Sequence, residues 1–184
     1  VSISTGVGSE TLSYSGATVS AKDVTVSNKY IDAITLVDAT DGSGGLASNY
    51  HLPVLDSSKA PVTISQKTVS LSGSKTYDGD VDLTGSVSLL TGVGSETLSY
   101  SGATASAKDV TVSNYIDAIT LVDATDGSGG LASNYQLPSL DALNAAVTIS
   151  QKTVSLSGSK TYDGGVDLTG VCLLYTSPSP RDAS

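Results

Sequence analysis

Short runs in which apolar and polar residues alternate pattern most of this chain. Val69 and Leu71 alternate with Ser70 and Ser72, Val81 and Leu83 flank Asp82, and Val87 and Leu89 flank Ser88. Val110 and Val112 flank Thr111, and Val147 and Ile149 flank Thr148. A period of two sends successive side chains to opposite faces, so each run predicts a strand with one buried and one wet face. The run Ile-Asp-Ala-Ile-Thr-Leu-Val at Ile116–Val122 is more apolar and predicts a central strand. Gly, Asn and Asp separate the runs at 72–74, 77–79, 92–94, at Gly102 and at 126–130, which predicts turns there. No apolar stripe of helical period stands out, and 103–109 has room for one helical turn at most. The pattern is that of an all-β chain.

The pattern repeats. Aligning 1–85 with 87–170 leaves 84 pairs, of which ten differ. One residue, Lys29, has no counterpart. A single insertion inside a strand would turn every later side chain to the wrong face, so Asn28, Lys29 and Asn114 belong in a hairpin loop or bulge. A period this long exceeds that of a solenoid unit and suits a string of small domains. The copies also act as controls on each other. His51, the lone histidine, becomes Gln136, and a residue needed for catalysis in every copy does not change in this way.

Composition narrows the function classes. The 184 residues carry a net charge of −9, which disfavours nucleic acid or anionic lipid as a partner. No apolar run reaches the length of a membrane span, and one Cys cannot build a disulfide framework or a zinc site. Val1 opens the sequence without a leader, as a fragment from inside a longer protein would. Cys172 to Asp182 (Cys-Leu-Leu-Tyr-Thr-Ser-Pro-Ser-Pro-Arg-Asp) holds the lone Cys and Arg and resembles the translated adaptor of a sequencing library. Residues 172–184 are therefore expected to be foreign to the fold, on a metagenomic fragment.

Candidate chemistry is sparse. Asp38 and Asp41, with their twins Asp123 and Asp126, sit in acidic Gly-rich loops that offer oxygens to calcium. Their spacing matches neither the helical calcium loop nor the nonapeptide repeat, so no metal or other cofactor is expected. No nucleophile stands beside a base, and the chain reads as no enzyme. Lys67, Lys75 and Lys108 fall near turns or strand ends, a poor setting for a self-formed Lys–Asn cross-link.

Lys75-Thr76-Tyr77-Asp78-Gly79, following Lys-Thr-Val-Ser-Leu-Ser-Gly, resembles the signature of YDG repeats. These are tandem domains of large bacterial surface proteins of the filamentous-haemagglutinin-like type. Further landmarks follow in order: Gly94-Ser95-Glu96-Thr97-Leu98, Ala107-Lys108-Asp109-Val110, Ser133-Asn134-Tyr135-Gln136-Leu137 and Ala146-Val147-Thr148-Ile149. The motif recurs as Tyr162, Asp163 and Gly164, and Asn134-Tyr135 has its twin in Asn49-Tyr50. Tyr77, Tyr100, Tyr115 and Tyr135 are expected to supply the large side chains of a core without Phe or Trp, with their hydroxyls wet. Asp78-Gly79 is turn chemistry, and Asn134 is expected to cap a loop.

The expected fold is a string of small antiparallel β-sandwich-like domains of about seven strands, with a β-grasp-like variant as alternative. Residues 1–64 form a unit lacking its first strands, 65–149 a complete unit, and 150–171 the opening strands of a third. The resemblance implies a non-catalytic stalk repeat of a secreted or surface-anchored adhesin, acting outside the cell. Its partners would be neighbouring repeats, with no membrane insertion. The alternative is an extracellular module that recognises glycan or a host protein through its Gly/Asp-rich loops.

Overall fold

The computed structural model describes residues 1–110 and 113–168. Val1–Ser150 form one compact unit and the chain from Gln151 onward a second. Strands β1 (Ser13–Val19) and β2 (Ile31–Val37) lie in the first repeat. The rest are β3 (Lys67–Thr68), β4 (Ser70–Thr76), β5 (Val87–Leu90), β6 (Ser99–Ala105), β7 (Ile116–Val122), β8 (Tyr135–Gln136) and β9 (Val147–Ser150). Single 3-10 turns at Ala47–Asn49 and Ala132–Asn134 are the helical pieces among the described residues. The chain is all-β.

The expectation of purely antiparallel pairing fails. β4 runs antiparallel to β5 but parallel to β9, and β3 runs parallel to β8. The opening strand of the repeat is thus covered on one edge by the strand after it and on the other by the last one. The expected turn at 72–74 is strand for the same reason. Gly73 lies opposite both Val87 and Val147, and a Cβ there would stand 3.1 Å from Val147 Cγ2. This glycine permits close approach of a neighbour rather than a turn. Gly102 is likewise no turn: with φ +60° it sits in a register shift between Ser101 and Thr104, a bulge inside β6. The possible helical turn after it is strand through Ala105, because Ala103 and Ala105 face the core.

The alternation at 81–83 makes only a bridge. Asp82 pairs with Thr104, and the Leu83 amide donates to Ala103 O at 2.9 Å. The strand expected over 110–112 falls on Thr111 and Val112, outside the described residues, as does the adaptor-like stretch 172–182. Nor is β7 central. It pairs with β6 in a two-stranded ribbon, and it reaches the core through Ile116 and Ile119. That core gathers Val69 and Leu71 from the opening strand with Leu83, Tyr135, Val147 and Ile149. Of the four tyrosines expected there, Tyr135 is buried while Tyr77, Tyr100 and Tyr115 are half-buried. Branched aliphatics and alanines make up the rest of the buried core.

The first repeat shows the same ribbon with a different fate. β1 and β2 pair with the bulge seen in β6 and β7, so this hairpin follows from local sequence alone. Yet Ile31 and Ile34 are only half-buried where Ile116 and Ile119 are buried. Val-Thr-Ile-Ser at 62–65 is identical to β9 but forms no strand, and neither does 1–4, the counterpart of β5. Between them lies a groove of about 630 Å³, lined by Ile31, Ile34, Tyr50, Leu52, Ala60 and Val62 among others. In the second unit, residues 151–168 carry no strand.

The loop with variable length is where the insertion argument placed it. Asn114 is buried and closes the β6–β7 loop. Its amide donates to the carbonyls of Ala107 and Asp109 and its oxygen accepts from Ser106 Oγ and the Ala107 amide. In the first repeat Lys29, also buried, takes over this place and donates to the carbonyls of Val24 and Val26. Asn28, at φ +55°, absorbs the extra residue.

Candidate functional site

The Asp/Gly loops follow β2 and β7. Asp126 Oδ2 accepts from Thr97 Oγ1 at 2.7 Å and Oδ1 from the Ser128 amide at 3.0 Å. Ser128 Oγ accepts from the Thr97 amide at 2.9 Å, and Asp123 Oδ1 from the Ala132 amide at 2.7 Å. The first repeat reproduces every bond: Asp41 with Thr11 and Ser43, Ser43 Oγ with the Thr11 amide, and Asp38 with Ala47. Hydrogen bonds from Thr97 and Ser128 hold the Asp126 carboxyl down to about 2, and those from Thr11 and Ser43 do the same for Asp41. The four calcium candidates therefore direct oxygens at amides of their own loops and, for Asp41 and Asp126, at the hydroxyls of Thr11 and Thr97 just before β1 and β6. Among the described residues no three His, Cys, Asp or Glu side chains converge on a metal-sized site. Gly130 explains the loop's shape: a Cβ on it would lie 1.8 Å from Thr97 O, and one on Gly45 would lie 2.0 Å from Thr11 O. Backbone meets backbone there, so only glycine fits.

The Tyr-Asp-Gly motif is a turn organised by the lysine before it. Lys75 Nζ lies 2.8 Å from Asp78 Oδ1 and donates to the carbonyls of Asp80 and Asp82 at 3.0 and 2.8 Å. Asp78 Oδ1 also accepts the Asp80 amide at 3.0 Å, and Gly79 takes φ +90°. The neighbouring ammonium, with that amide, lowers the Asp78 carboxyl below its usual range. Tyr77 stays half-buried against the core with Lys108 Nζ 5.9 Å from its ring centroid, a cation–π arrangement. Lys160, Tyr162, Asp163 and Gly164 rebuild the same turn: Lys160 reaches Asp163 at 2.7 Å and the carbonyls of Gly165 and Asp167 at 3.1 and 2.8 Å. There Tyr162 is exposed. The sequence placed Lys75 at the head of this motif and near a turn, but gave it no part in holding that turn.

Asn134 and Tyr135 do more than cap a loop. Tyr135 donates its hydroxyl to Glu96 Oε2 at 2.6 Å, and Tyr50 donates to Glu10 at the same distance. Burial, then this contact, raises the Tyr135 phenol, and the contact lowers Glu96. The hydroxyl expected to be wet is thus tied to a carboxylate. Asn134 reaches into the other repeat: its oxygen accepts the Val24 amide and its amide donates to Asp23 Oδ1, both at 2.8 Å. Lys22 pairs with Glu96 at 3.3 Å, and Gln66 donates to Ser133 O at 3.2 Å. Gln66 and Ser133 both lie within the 65–149 unit, whereas the Asn134 and Lys22 contacts join the two repeats through a polar clamp that the sequence pattern did not reveal. Its only trace was that Lys22, Asp23, Glu96 and Asn134 are all unchanged between copies. His51 is exposed at the groove, and its counterpart Gln136 donates to Thr68 Oγ1 at 2.9 Å.

No family model, curated protein or solved structure matches the chain.

Proposed function

We propose that this chain is a non-catalytic YDG-type repeat array from the stalk of a secreted or surface-anchored bacterial adhesin, holding a distal binding region away from the cell. The observation that carries this reading is the polar clamp. Lys22, Asp23 and Val24 meet Glu96 and Asn134 across the repeats, and each has an identical twin: Lys108, Asp109, Val110, Glu10 and Asn49. A contact built from residues present in every copy can recur at each junction, which is what a string of like domains requires. Between the two architectures expected for one domain, the parallel placement of β9 beside the opening strand β4 favours the β-grasp-like variant. Three Lys against nine acids across 65–149 keep separate strings from associating.

Small-angle scattering on arrays with increasing numbers of the 65–149 repeat tests the stalk. The maximum dimension rises by a constant step per repeat, and Asn134→Ala at every junction erodes that step. A dimension that levels off as repeats are added overturns the reading. Glycan and host-protein arrays test recognition through the Gly/Asp-rich loops, and binding there would replace a stalk with a binding module.

A further inference from the structure

Four aspartates of the chain are followed by glycine: Asp41-Gly42, Asp78-Gly79, Asp126-Gly127 and Asp163-Gly164. Such a step can close on itself. The main-chain nitrogen of the glycine attacks the aspartate carboxyl carbon, an N–C bond forms, and the amide proton leaves with the carboxyl hydroxyl as water. Water then reopens the ring at either carbonyl, restoring aspartate or leaving isoaspartate, whose main chain is one carbon longer. The carboxyl must be protonated to lose its hydroxyl, and free to swing toward the nitrogen. Bulk protects none of the four steps: each glycine takes a positive φ, and a Cβ on any of them would meet nothing within 4 Å. All four aspartates are exposed, so water reaches them. Whatever separates the four lies in the bonds to their carboxylates.

Those bonds are of two kinds. In the Asp/Gly loops both oxygens are held, Asp126 Oδ2 by Thr97 Oγ1 at 2.7 Å and Oδ1 by the Ser128 amide at 3.0 Å, and Thr11 and Ser43 hold Asp41 at the same distances. The two threonines stand 29 and 30 residues away in sequence, so turning either carboxyl toward its glycine breaks a bond to another part of the fold. In the Tyr-Asp-Gly turns the bonds converge on one oxygen. Asp78 Oδ1 takes Lys75 Nζ at 2.8 Å and the Asp80 amide at 3.0 Å, and Asp163 Oδ1 takes Lys160 Nζ at 2.7 Å and the Gly165 amide at 3.0 Å. All of these donors lie within three residues of the aspartate, so the turn moves with its carboxylate. Hydrogen bonds to the charged form keep the proton off. Those in the Asp/Gly loops bring the carboxyls of Asp41 and Asp126 from 3.8 to about 2, which cuts the protonated fraction roughly 60-fold. We propose that Thr11 and Thr97 guard Asp41-Gly42 and Asp126-Gly127 against this self-closure, and that the chain forms isoaspartate at Asp78-Gly79 and Asp163-Gly164 instead. The guard sits where the fold has least slack: a main chain lengthened at Asp126 leads directly into Gly130, where a Cβ would already stand 1.8 Å from Thr97 O. The inference stands apart from the stalk reading, because the chemistry is internal to each loop.

Ageing the full chain for weeks at mildly acidic pH tests the proposal, with peptide mapping by electron-transfer fragmentation to tell isoaspartate from aspartate at each site. The expected result is conversion at Asp78 and Asp163 at least about tenfold faster than at Asp41 and Asp126. In the guanidinium-unfolded chain the four steps convert at like rates, because the guard is gone. Thr97→Val speeds conversion at Asp126 about tenfold or more, while Asp41, still held by Thr11, keeps the parent rate in the same molecule. Thr97→Ser retains the hydroxyl and the parent rate. Equal conversion at all four sites of the folded chain overturns the proposal, as does a Thr97→Val chain in which Asp126 is unchanged. The same ranking in the unfolded chain also overturns it, since sequence neighbours would then set the rates. A Thr97→Ser chain that converts like Thr97→Val traces protection to the loop's fold rather than the hydroxyl, and it too overturns the assignment.

Discussion

Leu83→Ala probes the claim that this fold is held by a narrow aliphatic core. Leu83 is fully buried, and among the described residues it and Ile116 are the largest side chains so enclosed. Its backbone has little room to follow a shrinking side chain: the amide is bonded to Ala103 O, and the carbonyl accepts the Ser86 amide at 2.8 Å and Tyr100 Oη at 3.3 Å. Removing three buried carbons costs about 2–2.5 kcal/mol in transfer free energy. A cavity that cannot collapse brings the loss to roughly 3–4 kcal/mol. For a unit of this size, such a loss lowers the melting temperature by roughly 6–16 °C. Thermal unfolding followed by tyrosine near-ultraviolet circular dichroism, with urea unfolding as a second probe, reads the change. Leu143→Ala is the control, because Leu143 is 93% exposed and its counterpart in the first repeat is Ser58. It shifts stability by no more than about 0.5 kcal/mol. Equal effects of the two substitutions would refute the core described above.

Gly130→Ala drives a methyl into Thr97 O and is expected to cost about 3 kcal/mol or more, seen as a lowered urea midpoint. Asn114→Ala leaves buried amide and carbonyl groups unpaired in the β6–β7 loop and costs about 2–4 kcal/mol, with faster amide exchange at Ala107 as the local signature. Asp126 has its folded carboxyl lowered from 3.8 to about 2, so its contribution to stability is complete above the unfolded value and fades as pH falls through about 2. The stability gap between the parent and Asp126→Asn therefore narrows across that window in urea titrations, and a gap independent of pH contradicts the assignment. Adding calcium leaves the melting temperature unchanged, because Asp38, Asp41, Asp123 and Asp126 already hold loop donors. A rise reversed by chelator would reassign those loops.

The sequence by itself determined whatever is closed by near neighbours. The bulged hairpin appears in both repeats with the same register shifts, and the Asp/Gly loops bond identically. The Lys-Thr-Tyr-Asp-Gly turn forms around Lys160 as it does around Lys75. In each case the partners lie within about one hairpin of each other, so closing them costs little chain entropy. Tertiary structure alone decided the fate of the strands that pair at long range. Lys-Thr-Val-Ser-Leu-Ser-Gly-Ser-Lys-Thr makes strands β3 and β4 at 67–76, yet no strand at 152–161. Val-Thr-Ile-Ser is strand β9 at Val147–Ser150 but not at 62–65. β4 and β9 join residues some 74 positions apart in parallel, as in Gly73 opposite Val147, and such a pair holds only when both edges and the buried face are satisfied together. Without that partner Val154 and Leu156 remain exposed and Val62 and Ile64 only half-buried, because alternation states which face is apolar and says nothing of what will cover it.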